Sequence, residues 1–235
     1  MAEQLFEGWL AYRKLLTHDY MAHTFFFRAL EIELKSRFRG EISILDLGCG
    51  DASPVCRLLQ HLDVSHYHGV DESESVLEKA DCNLAPLGVP YALYPGDLLA
   101  LPDVLAGDYD VILASYSLHH LFPAQKKEIA LKSFHDLLGR DGLLAVIDVF
   151  LEDGESRECY LDRWEKNART TFSALDQSEL EVLIDHVRRR DFPESTSTYQ
   201  RMGQAAGYAR IVPGACDEPR LNRLITLEPS DPGES

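Results

Sequence analysis

Ile42-Ser43-Ile44-Leu45-Asp46-Leu47-Gly48-Cys49-Gly50-Asp51-Ala52-Ser53-Pro54 is the stretch that decides the fold. Its short apolar run reads as a strand buried on both faces. Two glycines one residue apart, Gly48 and Gly50, then allow a tight turn and a close backbone approach to a ligand. Ser53-Pro54 reads as a helix N-cap with proline at the first helical position. Strand, glycine turn and helix together make the opening βα unit of a nucleotide-binding sheet. The acids beside the turn restrict the ligand. A pyrophosphate at the helix N-terminus would meet the charges of Asp46 and Asp51. A ligand without phosphate and with a cationic head suits this turn better.

Composition narrows the class. A chain of 235 residues, 45% of them hydrophobic, is long enough for one domain with a cap and a sizeable core. A formal net charge of −16 argues against gripping nucleic acid through its phosphates, and against an anionic membrane surface. The cysteines (Cys49, Cys56, Cys82, Cys159 and Cys216) are odd in number and scattered, with no C-x-x-C pair. That pattern argues against a disulfide framework or a zinc site and makes a cytoplasmic setting the expectation. The N-terminus lacks the basic-then-apolar order of a signal peptide, and no apolar run reaches membrane-spanning length.

Outward from the opening unit, residues 1–40 read as two helices, the first carrying Leu5, Phe6, Trp9 and Leu10 and the second Phe25, Phe26, Ala29 and Leu30. They form a lid in which Tyr20 and His23 either pack or close over ligands. A helix is expected from Ser53 to Leu62. A strand at 66–71 ends in Asp71, about 20 residues beyond the turn, where an acid can accept ribose hydroxyls; capping of the next helix by Asp71 or Ser73 is the plainer alternative. His66 and His68 alternate on that strand without a third ligand nearby, so no metal is expected. A third strand at 89–94, edge-like because of Pro90, leads to Pro95-Gly96-Asp97-Leu98. There Asp97 is placed to accept from an adenine amino group and the Leu98 amide to donate to a ring nitrogen; an ordinary turn aspartate is the plainer alternative.

The fourth strand, 108–114, runs into Ser115-Tyr116-Ser117-Leu118-His119-His120 at the reactive end. Imidazole exchanges a proton near neutral pH, so His119 and His120 are the base candidates, although adjacent side chains cannot both enter the site. Residues 139–142 read as a turn before the fifth strand, 143–150, where Asp148 faces the acceptor or caps. Two charged amphipathic helices (155–166 and 178–190) then form an insertion. Arg188-Arg189-Arg190 sits at a helix end, where positive charge suits the dipole; the rival role is an arginine contact to the acceptor, with Arg189 as candidate. A helix at 198–206 ends at Gly207, and strands at 208–212 and 221–227 form an edge hairpin.

These motifs resemble class I S-adenosylmethionine (AdoMet)-dependent methyltransferases. Leu45-Asp46-Leu47-Gly48-Cys49-Gly50 is similar to their first motif, Gly69-Val70-Asp71 to the second, and Gly96-Asp97-Leu98 to the third. Tyr109-Asp110-Val111-Ile112 with Ser117-Leu118-His119-His120 resembles the fourth strand and its loop, and 138–143 the turn before the fifth. The resemblance implies an α/β fold with a Rossmann-like seven-stranded sheet, mostly parallel with the last strand antiparallel, under a helical cap. The expected division is a lid at 1–40, a core at 41–150, a cap insertion at 151–195, a closing helix and hairpin at 196–228, and a tail at 229–235.

The resemblance also implies a cofactor and its contacts. Asp46 would meet the methionine amino group, Gly48, Cys49 and Gly50 the cofactor through backbone, and Asp71 the ribose. Asp97 and Leu98 would hold adenine, and Ser115 would lie near the methionine end; Tyr20, in the lid, is a further candidate cofactor contact outside the family motifs. Glu72 stands where the family often has an apolar residue against adenine. Tyr116, His23, Asp148 and Arg189 are the candidate acceptor contacts. The expected activity is methyl transfer from AdoMet, leaving S-adenosylhomocysteine, to an O or N atom of a small molecule. Proximity is its main device, with a possible histidine base. The expected partners are a small-molecule acceptor with no nucleic acid and no membrane, in a monomer or homodimer. The rival readings are an NAD(P) oxidoreductase, a non-catalytic AdoMet-binding scaffold and a protein side-chain methyltransferase.

Overall fold

The strand at the centre of the sheet, β1 (Ile42–Leu47), is buried along its whole length. In the computed structural model, which describes residues 12–105 and 107–229, its alternating side chains feed two cores. Leu45 and Leu47 pack on one face with Leu131, Phe134, Tyr199 and Met202. Ile44 packs on the other with Phe26, Leu30, Leu58 and Tyr67. A strand sandwiched between helices has no polar face to show, which is why its sequence is a continuous apolar run.

The strands are β2 (Val64–Asp71), β3 (Tyr91–Pro95), β4 (Tyr109–Ser115), β5 (Leu138–Leu151), β6 (Glu194–Ser195), β7 (Tyr208–Cys216) and β8 (Asn222–Pro229). Their order is β3-β2-β1-β4-β5-β8-β7, with the short β6 pairing β5 off that path. The pairs β1–β2, β1–β4, β2–β3 and β4–β5 are parallel, and β8 runs antiparallel to both β5 and β7. Chain order reverses between β1 and β4, so a crevice opens beyond their carboxyl ends. Helices α1 (His23–Arg37), α2 (Cys56–Leu59) and α3 (Glu74–Leu84) cover one face, and α4 (Ala124–His135) and α7 (Thr196–Ala206) the other. No helix among the described residues is long and apolar enough to cross a membrane.

Above the crevice lie α5 (Arg157–Thr171) and α6 (Gln177–Arg190). They pack with the leading segment through Leu15, Ala168, Phe172 and Leu175. Lys14 Nζ reaches Glu179 at 2.6 Å, and Asp176 with Glu179 forms a capping box that starts α6. Arg188 clamps α6 to α5 through Glu165 at 2.6 Å and Asp162 at 2.7 Å.

Three expectations change. The helix after β1 spans only Cys56–Leu59, because Ala52 adopts a left-handed φ of 56°. The side chain of Asp51, rather than Ser53, organises that turn, accepting from Ser53 N and Oγ at 3.0 and 2.7 Å. Residues 139–142 are no turn but a register shift inside one long β5, which pairs with Tyr109 at Leu138 and with Val111 at Leu143. In the closing hairpin β8 lies inside and β7 at the edge. The helix expected over Leu5, Phe6, Trp9 and Leu10, and the tail from residue 230 onward, lie outside the described residues.

Candidate active site

The glycine turn after β1 is built as its sequence suggests. Gly48 has φ +77°, and a Cβ there would stand 2.5 Å from Ser117 Cβ. The amides of Gly48 and Cys49 both donate to the Val70 carbonyl, at 2.8 and 3.0 Å, which ties the turn to β2. Gly50 N donates to Asp71 Oδ2 at 3.0 Å, and Ser73 N to Asp71 Oδ1 at 3.0 Å. Asp71 therefore serves the glycine turn and the entry to α3 together, while Ser73 makes no side-chain cap.

The turn opens into a cavity of about 410 Å³. Asp46, Gly48, Cys49, Gly50, Asp71, Glu72, Asp97, Leu98 and Ser115 all line it, from ends of three strands and the loop after β3. Tyr20, His23, Tyr116, His119 and His120 line its other end, so both adjacent histidines reach the cavity, against the expectation that only one could, because they lie on a tight 3₁₀ turn. Asp148 and Arg189 do not. Arg189 is exposed on α6 and pairs with Asp185 at 2.9 Å, which removes it from the acceptor contacts. Asp148 is fully buried behind His119, so it touches no acceptor and instead fixes that histidine.

Asp46 is 3% exposed. Its Oδ2 accepts from Tyr67 Oη at 2.8 Å, while Oδ1 is buried with no hydrogen-bond partner. Burial raises its pKa to about 7 against the lowering effect of the Tyr67 hydrogen bond, with Asp71 adding to the rise. A buried carboxylate oxygen without a partner, on the wall of a cavity, fits an ammonium or sulfonium ligand. The wall as a whole agrees. Asp46, Asp71, Glu72, Asp97, Asp191 and Asp217 line it, and no Lys or Arg does among the described residues.

At the far end β4 is followed by a 3₁₀ turn, Leu118–His120. His119 Nδ1 meets Asp148 Oδ1 at 2.5 Å, and the His119 amide meets Asp148 Oδ2 at 3.1 Å. His119 Nε2 lies 3.6 Å from Asp191 Oδ1. Burial pushes the His119 pKa down, but the two carboxylates more than offset that and hold it up at about 9. His120 is driven down to about 3 by burial and by the adjacent His119. Neither suits proton abstraction at neutral pH as it stands: one already carries its proton, and the other holds one too weakly. His23 is likewise driven down to about 4 by burial, opposed by Asp19 and Asp51. Its ring sits 5.0 Å from that of Tyr116, whose hydroxyl donates to the Met21 carbonyl. Tyr20 Oη accepts from Ala174 N at 2.9 Å and its ring stacks on Phe172 at 4.5 Å, joining the leading segment to the cap.

Several lining residues were not singled out from the sequence. Ser117 donates to the Leu47 carbonyl at 2.8 Å and supports Gly48. Trp164, Asn167 and His186 come from the cap helices, and Asp191 from the end of α6. Phe192 N donates to the His119 carbonyl at 2.8 Å, and the fully buried Lys127 donates to the Leu121 and Phe192 carbonyls at 2.9 and 2.8 Å. These bonds seat Asp191 beside His119. Only the fold brings the two together, so the sequence offered no local signal.

Residues 45–144 match the family model described as a methyltransferase domain. An uncharacterized methyltransferase of Bacillus pumilus is 25% identical over 120 residues, 51% of this chain and 53% of that protein. A carboxy-S-adenosyl-L-methionine synthase of Campylobacter jejuni is 25% identical over 174 residues, 72% of this chain and 70% of that one. Among solved structures, magnesium protoporphyrin IX methyltransferase from Synechocystis, with S-adenosylhomocysteine bound, has a TM-score of 0.61 at 17% identity, covering 88% of this chain and 83% of that chain. The methyltransferase SibL has a TM-score of 0.62 at 16% identity, covering 87% and 55%. These structural likenesses show a shared fold.

Proposed function

We propose that this chain, whose residues 45–144 match a methyltransferase-domain family model, is a class I AdoMet-dependent methyltransferase that moves a methyl group from AdoMet to an O or N atom of a small molecule that is neutral or cationic. The observation that carries this reading is the charge of the cavity. Its lining has six carboxylates and no Lys or Arg among the described residues. AdoMet brings a sulfonium and an ammonium to such a wall, and Asp46 Oδ1 is the buried oxygen that would take the ammonium. An anionic acceptor would find no cationic fork there.

The sulfonium is an activated donor, so alignment and desolvation supply most of the rate. Asp46, Asp71 and Asp97 would fix the donor along the strand ends. Tyr20, His23, Tyr116 and the His119–His120 wall would hold and orient the acceptor by packing and hydrogen bonds. The cap helices would exclude water from above.

The Campylobacter relative's name describes a synthase that makes a carboxylated AdoMet. A second reading on that model would need a cation for the added carboxylate; the described lining offers neither Lys nor Arg, and its one cationic imidazole, His119, is already held between Asp148 and Asp191. The test measures S-adenosylhomocysteine binding by calorimetry and methyl transfer from labelled AdoMet to a panel of amines and phenols. Binding lost in Asp71→Ala and transfer favouring amines or neutral phenols over carboxylic acids are expected. Binding of NAD in place of S-adenosylhomocysteine would overturn the cofactor. Tight cofactor binding with no transfer to any panel member would leave a scaffold.

A further inference from the structure

Three side chains at the acceptor end form a donor set that the cofactor contacts do not use. His119, His120 and Asp191 each offer one ligand atom, and these atoms lie within 4.8 Å of one another. Asp191 Oδ1 stands 3.6 Å from His119 Nε2 and 3.8 Å from His120 Nδ1. An ion bound at about 2.0–2.2 Å in tetrahedral geometry would hold its donors about 3.3–3.5 Å apart. The two carboxylate–imidazole distances would contract by a few tenths of an ångström to close the set, and the two imidazole nitrogens, which lie within 4.8 Å of one another, by up to about 1.5 Å.

A second observation points to a missing ligand. Asp191 is 6% exposed, yet its Oδ1 is buried with no hydrogen-bond partner. Buried carboxylate oxygens are normally satisfied, and an unfilled one calls for an unseen donor or ion. The surroundings have the build of a supporting shell. His119 is anchored through Nδ1 by Asp148, whose oxygens also accept from the amides of His119 and Val149 at 3.1 and 2.8 Å. Carboxylates placed behind an imidazole in this way orient it as a ligand. Asp191 is steadied by Arg157, which donates to the Asp191 and Arg188 carbonyls at 2.7 and 2.6 Å.

We propose that His119, His120 and Asp191 bind one divalent first-row transition ion, which displaces the His119 Nε2 proton to solvent and keeps at least one coordination position facing the cavity. Two imidazoles and a single carboxylate suit zinc, iron(II), cobalt or nickel better than magnesium or calcium, which favour all-oxygen sets. All three ligands line the cavity, as does His186, whose ring stands edge-on 6.0 Å from that of His120. The use of the ion rests on the methyl-transfer reading. It would bind the acceptor heteroatom and lower its pKa. The acceptor's proton passes to solvent water, the heteroatom–carbon bond forms, and the methyl–sulfur bond breaks with its electron pair kept by sulfur. The ion does not change oxidation state.

The test titrates the chelator-stripped full chain with Zn²⁺ alone and with Co²⁺ alone, by calorimetry and visible absorption. One tightly bound ion per chain and cobalt ligand-field bands are expected. His120 has a side chain 47% exposed, so His120→Ala keeps the fold while removing a ligand. It should weaken Zn²⁺ by at least about tenfold, and Asp148→Asn by on the order of ten- to a hundredfold through loss of ligand positioning. His66→Ala, on β2 and outside the cavity lining, should leave the affinity unchanged. Stoichiometric Zn²⁺ binding that survives both His120→Ala and Asp191→Asn overturns the assignment, as does a wild-type chain that takes up no ion while binding S-adenosylhomocysteine. Ion binding without S-adenosylhomocysteine binding would instead count against the cofactor reading alone.

Discussion

Replacing Asp46 by asparagine should make the free protein more stable and its cofactor binding weaker. The wild-type carboxyl is raised by burial from 3.8 to about 7. Between those values the folded chain keeps a proton that the unfolded chain has released, so stability falls as pH rises through that window and levels off above it. A shift of this size corresponds to at most about 4 kcal/mol of destabilisation near pH 8. Asparagine keeps the shape and can still accept from Tyr67 Oη, now at 2.8 Å from a neutral oxygen. Losing the charge-assisted bond and adding an amide that needs its own acceptor offsets part of the gain. The expected net is about 2 kcal/mol at pH 8, or roughly 4–8 °C in Tm for a chain of this size.

At pH 5 the wild-type carboxyl is already neutral, so the gap in Tm should shrink to little. Cofactor binding should move the other way. S-adenosylhomocysteine retains the ammonium, and without the Asp46 charge its affinity should fall by about ten- to a hundredfold at pH 8, equivalent to ~1.4–2.7 kcal/mol. Differential scanning fluorimetry of both proteins at the two pH values, with calorimetry of S-adenosylhomocysteine, reads all of this. A variant less stable than wild type at pH 8, or one with the same Tm gap at both pH values and undiminished affinity, would refute the reasoning.

Tyr67→Phe removes the donor that holds the Asp46 carboxyl down. S-adenosylhomocysteine affinity should then fall severalfold near pH 7 and recover at higher pH, a shift that calorimetry across pH would reveal. Gly48→Ala forces a Cβ to 2.5 Å from Ser117 Cβ at a φ of +77° and should cost about 1–3 kcal/mol, seen as a lower Tm. Arg189→Ala removes only an exposed pair with Asp185, so Tm and cofactor affinity should stay within about 0.5 kcal/mol of wild type; a large loss of acceptor turnover would restore Arg189 to the site.

The cofactor half of the cavity was legible because each of its parts is local. Asp46 and the glycines sit in one βα turn, Asp71 ends the next strand and Asp97 the turn after the third, and parallel pairing sets those ends side by side. Their partners were not legible. Tyr67 reaches Asp46 only because β1 and β2 pair with Ile44 beside Tyr67 and Asp46 beside Gly69. A register of that kind follows from packing rather than from any short motif. The acceptor half was misread where a residue's neighbours come from far along the chain. Asp148 looked like a residue at a strand end facing the ligand, and it is instead buried behind His119. Asp191 drew no reading of its own just past a helix end, and the Phe192 and Lys127 bonds turn it toward His119.

The net charge of −16 shows only that acids are plentiful; it does not say where the cations are. In the structure Arg157, Arg163, Arg188, Arg189 and Lys127 are all engaged with carbonyls or carboxylates away from the cavity lining. That segregation leaves the carboxylates of the wall without positive side chains, except where His119 stands between Asp191 and the buried Asp148. A ligand or ion that enters must therefore supply the positive charge itself. One end of the cavity can take it from the ammonium and sulfonium of AdoMet. The other end, where Asp191 Oδ1 makes no hydrogen bond and faces the His119 and His120 rings at 3.6 and 3.8 Å, is where the proposed ion would sit, and the acceptor that fits must be compatible with both.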